Sequence, residues 1–220
     1  MWVAATLWGV SAQRGFFPAT EGMTMLYASQ NAKGQTEMFV RQTVTEVEGS
    51  GDNMTVVYKS EVLEKNMKPV DIKPFKIQPI ATTIHVTDGV AAMDMTFFAA
   101  PNVQSFVTIE GDKLRIPSSL SPGDRLDDAN YVMTVSMGIQ VKTEVSVTDH
   151  ACLAIEEITV PAGAFTCHKI THTGVATTMR KITTSKNLSW YAPGIGIVKS
   201  ENYDEKGKLT NTMVLQELKE

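Results

Sequence analysis

The sequence predicts an all-β protein: an antiparallel curved sheet, folded as a β-roll or open barrel of hairpins, with almost no helix. Three observations favour this fold class. Runs rich in Thr, Val and Tyr alternate between apolar and polar residues, as strands with one buried face do. Turn-forming residues separate these runs at regular intervals. No amphipathic helical pattern extends beyond a turn or two.

The composition is that of an ordinary folded protein. The chain has 220 residues, of which 43% are hydrophobic and 20% are charged. All-β units often reach this length as one domain, so we assign residues 13–220 to a single antiparallel β domain. The formal net charge is -4, and no run of Lys or Arg offers a surface for phosphates. We therefore expect no nucleic-acid partner.

The first residues have the pattern of a secretory signal. An apolar run is followed by Val10-Ser11-Ala12, with small or compact residues where signal peptidase cleaves. We expect residues 1–12 to be a clipped signal peptide, with its true start upstream because no Lys or Arg precedes the run; the alternative is a buried N-terminal strand. The run is shorter than the roughly 20 residues that cross a membrane. The chain is therefore expected in the periplasm or at the cell surface, without a transmembrane segment.

The first third of the domain reads as a meander of strands. Residues 23–30 and 35–48 are predicted to form a hairpin around the turn Asn31-Ala32-Lys33-Gly34. Residues 55–60 return as the third strand. Over residues 65–79 three prolines remove ladder donors, so this segment is expected to be a loop along the sheet edge.

Two further hairpins are predicted from tight-turn signals, one at Thr87-Asp88-Gly89 and one at Gly111-Asp112. Their strands are residues 82–86 with 90–97 and residues 103–110 with 113–116. The polar segment 117–129 then interrupts the strand pattern. It is expected to be a loop with at most one turn of helix.

The longest alternating segment covers residues 131–149 and is predicted to be one strand with a bend or bulge at Gly138. Its apolar face consists of Met133, Val135, Met137, Ile139, Val141, Val145 and Val147. No helix of this chain could cover so long an apolar face. The sheet is therefore expected to curl over itself.

The stretch 158–203 organises the C-terminal part. A hairpin is predicted at Pro161-Ala162-Gly163, because Pro161 presets the φ of a turn and Gly163 can take a positive φ. The chain then continues through Val175–Thr184 to Trp190. A last hairpin is predicted to turn at Asp204-Glu-Lys-Gly207.

Two cysteines, Cys152 and Cys167, fit an exported protein, in which a disulfide is permitted. They lie at unequal distances from the turn at Pro161, so they should not face each other directly. We expect two buried free thiols.

Several motifs resemble a family of small exported or lipoprotein-like β proteins of unknown function from gut Bacteroidetes. The motifs are Ile158-Thr-Val-Pro-Ala-Gly-Ala-Phe-Thr-Cys-His-Lys-Ile170, Trp190-Tyr-Ala-Pro-Gly-Ile-Gly-Ile-Val-Lys199 and Tyr203-Asp-Glu-Lys-Gly-Lys208. Further similarity lies in Phe17-Pro18, Glu21-Gly22, Asp94-Met95, Ile116-Pro117, Leu120, Gly123 and Leu126. The resemblance implies an antiparallel, rolled or barrel-like β fold in the cell envelope. It implies no catalytic residues, and Asp149-His-Ala-Cys152 departs from the family pattern.

No combination of residues predicts catalysis, a cofactor or a metal. His168 and His172 would lie about 13 Å apart on a strand, beyond joint reach of one ion. His85 and His150 are isolated and are expected at the surface. Asp124 with Asp127-Asp128 could hold calcium, but a solvated acidic loop is the favoured interpretation. The chain is therefore not expected to be an enzyme.

Two groups of residues are candidates for ligand binding. Methionines can line a pliable apolar pocket, although they more often fill an irregular core, and the candidates are Met93, Met95, Met133 and Met137. Trp190 and Tyr191 precede Pro193-Gly194, where one aromatic ring could contact a glycan or peptide. The alternative is a tryptophan that plugs the open end of a rolled sheet.

The sequence thus predicts an exported cell-envelope protein that binds a hydrophobic or glycan ligand noncovalently. The alternative is a structural or assembly component of the cell surface without a small-molecule ligand. An apolar small molecule, a glycan and an envelope protein are the expected classes of partner. Whether the rolled sheet encloses a cavity decides between the two functions.

Overall fold

The computed structural model describes residues 15–72, 75–76, 80–93, 107–137 and 139–220. The proposed signal peptide, residues 1–12, lies outside the described residues. Within them the protein is all-β, with fifteen strands and no helix, which confirms the predicted fold class. Accordingly, the described residues contain no helix that could span a membrane.

The strands are numbered in chain order. Their bounds are β1 Thr24–Asn31, β2 Thr36–Ser50, β3 Asn53–Leu63, β4 Asp71–Ile72, β5 Phe75–Lys76, β6 Ile80–Thr87, β7 Val90–Met93, β8 Val107–Gly111, β9 Leu114–Pro117, β10 Ala129–Met137, β11 Ile139–Val160, β12 Gly163–Thr178, β13 Lys181–Ala192, β14 Gly196–Asp204 and β15 Leu209–Lys219.

Thirteen of these strands form one antiparallel sheet. Its order is β8-β10-β11-β12-β13-β14-β15-β1-β2-β3-β6-β7-β9, while β4 and β5 form a separate two-stranded hairpin. The hairpins predicted at Asn31–Gly34, Pro161–Gly163 and Asp204–Gly207 are confirmed by the pairing of the strands that flank them. Segment 117–129 contains no helix and is largely loop, as expected.

Two strands, not one, occupy the segment 131–149. The chain reverses between Met137 and Ile139, which pair with each other, so the prediction of one long strand was wrong. The alternation misled because β10 and β11 pair in a register that keeps the apolar positions on one face: Tyr131 opposes Val145, and Ala129 opposes Val147.

The hairpin predicted at Gly111-Asp112 was also wrong. β8 pairs with β10 and β9 pairs with β7, so the chain crosses between two strands instead of turning back. Hydrogen bonds to Asn130 of β10 direct this crossing. The Asp112 N–H donates to the Asn130 carbonyl oxygen over 2.8 Å, and the Asn130 N–H donates to the Asp112 carboxylate over 2.9 Å.

The crossing shows that the sheet is rolled. β8 and β9 are the two ends of the strand order, yet only Asp112 and Lys113 connect them. The Cα atoms of Gly111 and Leu114 can therefore lie at most about 11 Å apart. The two edges of the sheet lie close together without pairing, and the inward faces of the strands surround an interior.

Two loops close one end of the roll. Residues 15–22 contribute Phe16, Phe17 and Pro18, all buried, and the Gly194 N–H donates to the Gly15 carbonyl oxygen over 2.8 Å. Segment 117–129 contributes the buried side chains of Leu120 and Leu126 to the same core. These loops cover apolar side chains that the sheet alone would leave in water.

Both cysteines are buried and free, as predicted. Cys152 opposes Ile170, whereas Cys167 opposes Glu156, so the register keeps the two thiols apart. Burial raises the pKa of Cys167 to about 11 and also raises the pKa of Cys152. Neither thiol is therefore a thiolate at neutral pH, which argues against a nucleophilic role.

Candidate functional site

The rolled sheet encloses a cavity of about 370 Å³. Strands from both halves of the strand order supply its walls, as expected for the interior of a roll. The lining residues are Phe17, Pro18, Met25, Tyr27, Gln42, Tyr58, Thr82, Ile84, Leu114, Tyr131, Val145, Val147, His172, Gly174, Ala176, Thr183, Ser185, Asn187, Ser189, Tyr191, Ile195, Gly196, Ile197, Ser200, Asn202, Asn211 and Met213.

Aromatic side chains form the cavity wall beside the N-terminal loop. The ring of Tyr191 packs edge-on against Phe17, with centroids 6.4 Å apart, and against Phe16 at 5.9 Å. The Tyr58 hydroxyl donates a hydrogen bond of 3.2 Å to the Pro18 carbonyl oxygen. This bond satisfies a buried polar group and fixes the N-terminal segment on the sheet.

A row of three asparagines crosses the part of the wall that β13, β14 and β15 form. Asn187 of β13 opposes Asn202 of β14, which in turn opposes Asn211 of β15. The Asn187 amide nitrogen donates to the Asn202 side-chain oxygen over 2.9 Å. Asn211 donates to Ser29 Oγ over 3.0 Å and to the Gln30 carbonyl oxygen over 2.9 Å. Cross-strand amides of this kind hold neutral hydrogen-bonding groups at the cavity surface.

Two further polar side chains reach the cavity from β2 and β6. Gln42 is 7% exposed and Thr82 is 3% exposed, and both line the cavity. The Thr82 hydroxyl has no hydrogen-bond partner among the described residues. Buried polar groups usually find partners, so the position of the Thr82 hydroxyl is unusual.

His172 contributes an imidazole to the lining and contacts His150, with ring centroids 5.7 Å apart. Burial, with a smaller effect of His150, lowers the pKa of His172 to about 4. The expectation that His150 lies at the surface was wrong: it is 4% exposed. The loop that contains Leu126 covers it, since the Leu126 N–H donates to the His150 carbonyl oxygen over 2.8 Å.

The described side chains of the cavity lining are uncharged at neutral pH. They include no Asp, Glu, Lys or Arg, and burial raises the pKa of Tyr27 and Tyr191 well above the ordinary value. An ionic ligand would find no counter-charge there.

The predicted aromatic pair is divided between two environments. Tyr191 lines the cavity, whereas Trp190 is buried elsewhere and donates its indole N–H to Glu156 over 2.6 Å. The ammonium groups of Lys169 and Lys199 lie 5.0 and 4.8 Å from the Trp190 ring. The indole hydrogen bond and these cations hold the pKa of the Glu156 carboxyl below its ordinary value.

Among the described side chains, the methionines of the cavity lining are Met25 and Met213, which the sequence did not single out. Met133 is partly buried but does not belong to the lining. Met95 and the side chains of Met93 and Met137 lie outside the described residues, so their part in binding stays a prediction. The alternation of Met25 with Tyr27 was the available signal, because both point to one face of β1.

The remaining candidate residues do not assemble a metal centre in the described chain. His168 packs against Phe16, with ring centroids 4.9 Å apart, and not against His172. Asp124 accepts a hydrogen bond of 2.7 Å from the Ser121 N–H, which organises its loop. The described residues include no group of three His, Cys, Asp or Glu placed to hold a metal.

Comparisons with known proteins agree with this architecture. The profile of the DUF3108-like family matches residues 20–215. A candidate exported protein with a YmcC-like fold from Bacteroides fragilis is 27% identical; the similarity covers 94% of this chain and 100% of that one, with a TM-score of 0.75. A candidate lipoprotein from Parabacteroides distasonis is 23% identical over 94% of this chain and 99% of its own, with a TM-score of 0.77. No curated protein matches the sequence significantly.

The two solved structures come from Bacteroidetes, the group to which the sequence motifs pointed. The expected resemblance is therefore confirmed for family and fold, while the individual motifs stay a prediction. Since the family profile spans most of the sequence, the protein belongs to the DUF3108-like family.

Proposed function

We propose that this protein is an exported binding protein of the cell envelope that holds a largely apolar small ligand inside its rolled sheet. The cavity of about 370 Å³ is the observation that carries the proposal. Its volume falls in the range of about 300–1,000 Å³ that is usual for small-molecule sites. A closed core of a small domain would instead be packed to crystal-like density, with few voids larger than a water molecule.

The wall chemistry supports an apolar ligand. Met25, Ile84, Val147, Ile197 and Met213 contribute aliphatic or thioether surface, and the aromatic side chains lie beside them. Burial of this surface by a ligand would contribute roughly 25 cal/mol for each Å² removed from water. A glycan ligand is the second candidate, because the asparagine row and Tyr191 offer hydrogen bonds and a ring for stacking.

Binding without catalysis is part of the proposal. His172 is the lining residue closest in type to a general base, and the ring it contacts is another imidazole. A nucleophile activated by this residue would need an orienting carboxylate on its far side. His150 instead adds to the burial that lowers the pKa of His172.

Export is supported by the sequence of residues 1–12 and by the descriptions of the two Bacteroidetes proteins as an exported protein and a lipoprotein. Fractionation of the native host should find the mature chain outside the cytoplasm. A cytoplasmic chain with an intact N-terminus, measured by mass spectrometry, would contradict export.

Native mass spectrometry of protein extracted from its host tests the binding function. We expect a stoichiometric adduct that organic extraction removes, together with uptake of an apolar fluorescent dye by the delipidated protein. Absence of both the adduct and dye uptake would favour the structural or assembly role at the cell surface.

A further inference from the structure

The polar groups of the cavity define the head group of the ligand more narrowly than its apolar walls do. They come from different strands: the asparagines from β13, β14 and β15, and Gln42 and Thr82 from β2 and β6. None of these side chains carries a charge. A ligand in the cavity would thus meet amide and hydroxyl groups on more than one wall.

Thr82 is the informative member of this set. It is 3% exposed and lines the cavity, and its hydroxyl has no hydrogen-bond partner among the described residues. A buried hydroxyl without a partner destabilises the protein relative to one that is satisfied. A ligand group that bonds to Thr82 would remove this cost, whereas a hydrocarbon would not. Gln42 is also buried and presents its amide to the same cavity.

Asn202 offers a third donor. Its side-chain oxygen accepts the bond from Asn187, but within the described chain its own amide nitrogen donates to no protein group. The side chain is half-buried and lines the cavity. It can therefore donate to a hydroxyl or carbonyl oxygen of a ligand.

Charged head groups fit this interior poorly. An isolated carboxylate or ammonium that leaves water loses several kcal/mol of hydration unless a counter-charge or dense hydrogen bonding replaces it. The cavity lining offers no Asp, Glu, Lys or Arg as a counter-charge among the described residues. Hydroxyl, ester and amide groups lose much less on transfer, and the cavity can pair them.

We propose that the cavity selects an uncharged amphiphile, with an apolar chain and a neutral head of hydroxyl, ester or amide groups that bonds to Thr82, Gln42 and Asn202. This inference rests on the proposed binding function and specifies its ligand class. Acylglycerols and alkyl glycosides have this chemistry. Fatty acids and alkylamines of the same chain length do not.

Isothermal titration calorimetry with four octyl compounds tests the proposal at neutral pH. Octyl glucoside and mono-octanoylglycerol carry neutral heads, whereas octanoate and octylammonium carry opposite charges on a similar chain. The neutral pair should bind the delipidated protein at least about tenfold more tightly than either ion, a difference of about 1.4 kcal/mol. Equal or tighter binding of an ion would overturn the selection of a neutral head. Failure of all four to bind would instead reject the proposed binding function itself.

Two substitutions test the assigned polar groups. Thr82→Val keeps the side-chain shape but removes the hydroxyl, and it should weaken mono-octanoylglycerol binding roughly fivefold without lowering the urea midpoint of the free protein. Thr171→Val is the matched control, because the Thr171 hydroxyl already donates to the Asn187 carbonyl oxygen over 3.1 Å. The control should lower the urea midpoint and leave the preference for neutral heads intact.

Gln42→Met is a second test of the head-group contact, because methionine has a similar length to glutamine and lacks the amide. We expect this variant to bind mono-octanoylglycerol less tightly by a similar factor. Unchanged affinity in both Thr82→Val and Gln42→Met, with circular dichroism showing folded protein, would overturn the assignment of these side chains to the head group.

Discussion

Single residues determine several of the turns on which the roll depends. Gly163 closes the hairpin between β11 and β12 with φ at 139°, a conformation that residues with a Cβ rarely adopt. Val160 and Gly163 pair directly across this turn. The sequence predicted this position because Pro161 and Gly163 together specify a turn.

Gly163→Val should lower the free energy of unfolding by more than about 1 kcal/mol, because a β-branched residue resists this φ. Urea denaturation followed by circular dichroism measures the change. Ala164→Val is the control: this neighbour is exposed in strand β12, where valine is well accommodated. Equal midpoints for Gly163→Val and the parent would contradict the turn assignment.

His172 should make the stability depend on pH. Its pKa is about 4 in the folded protein and about 6.5 when unfolded, so the unfolded chain binds the extra proton between these values. The stabilisation is complete above about pH 6.5 and is lost as the pH falls towards 4. Urea midpoints across this range should fall less steeply in His172→Gln than in the parent.

His85→Gln serves as the control for this titration, because His85 is exposed on β6. It should retain the pH dependence of the parent. If His172→Gln and the parent lost stability equally between pH 6.5 and 4, the buried neutral imidazole would not be the cause.

Residue patterns did not reveal the burial of His150. The histidine lies in a strand, and its cover comes from a loop more than twenty positions earlier, through Leu126 and Asp124. Local alternation contains no information about such a contact. The same limit applies to Gln42 and Thr82, which read as ordinary strand residues and become notable only when the opposite wall is in place.

Strands and hairpins were largely predictable, whereas the connection between the sheet edges was not. Gly111-Asp112 has the composition of a tight turn, and turn chemistry alone cannot distinguish a reversal from a crossing. The crossing depends on Asn130, which bonds to Asp112 on both its N–H and carbonyl groups. Likewise, β12 and β13 join through Met179 and Arg180, both with positive φ, where no glycine signals the turn.

Gly111→Ala should destabilise the roll at this crossing. Its φ is 127°, and a Cβ would lie 2.4 Å from the Asn130 carbonyl oxygen and 2.8 Å from the Tyr131 Cα. Both contacts are with the backbone of β10, so β8 would have to move away from β10. We expect a loss of more than about 1 kcal/mol in urea denaturation.

Gly51→Ala is the matched control for this prediction. It also has a positive φ, 61°, but a Cβ there meets nothing within 4 Å. It should therefore destabilise less than Gly111→Ala, by the backbone strain alone. Equal losses in the two variants would show that the close approach of β8 to β10 at Gly111 contributes nothing.

The curl of the sheet and the volume inside it are properties of the whole molecule, and no single residue or strand determines them. The sequence predicted that a long apolar face would require the sheet to curl, and the curled sheet is observed. That prediction placed the apolar face on one strand, whereas the face belongs to the hairpin of β10 and β11. The volume left inside depends on how side chains from nearly all strands pack together, and most of these contacts join residues that are distant in the sequence. The sequence therefore suggested that a cavity was possible, but it could not predict whether the rolled sheet would enclose one.

Filling the interior tests the central claim that the rolled sheet binds its ligand in this cavity. Met213→Trp places a larger side chain in the lining, while Met38→Trp makes the same exchange at a position that is 39% exposed on β2. Ile84→Phe fills the cavity from β6 with a smaller increase in volume, in case Met213→Trp does not fold. The measurement is fluorescence titration of the delipidated variants with an apolar dye, with folding checked by circular dichroism. Our account predicts that the cavity-filling variants lose dye binding and that Met38→Trp retains it; parent-like affinity in folded Met213→Trp and Ile84→Phe would contradict it.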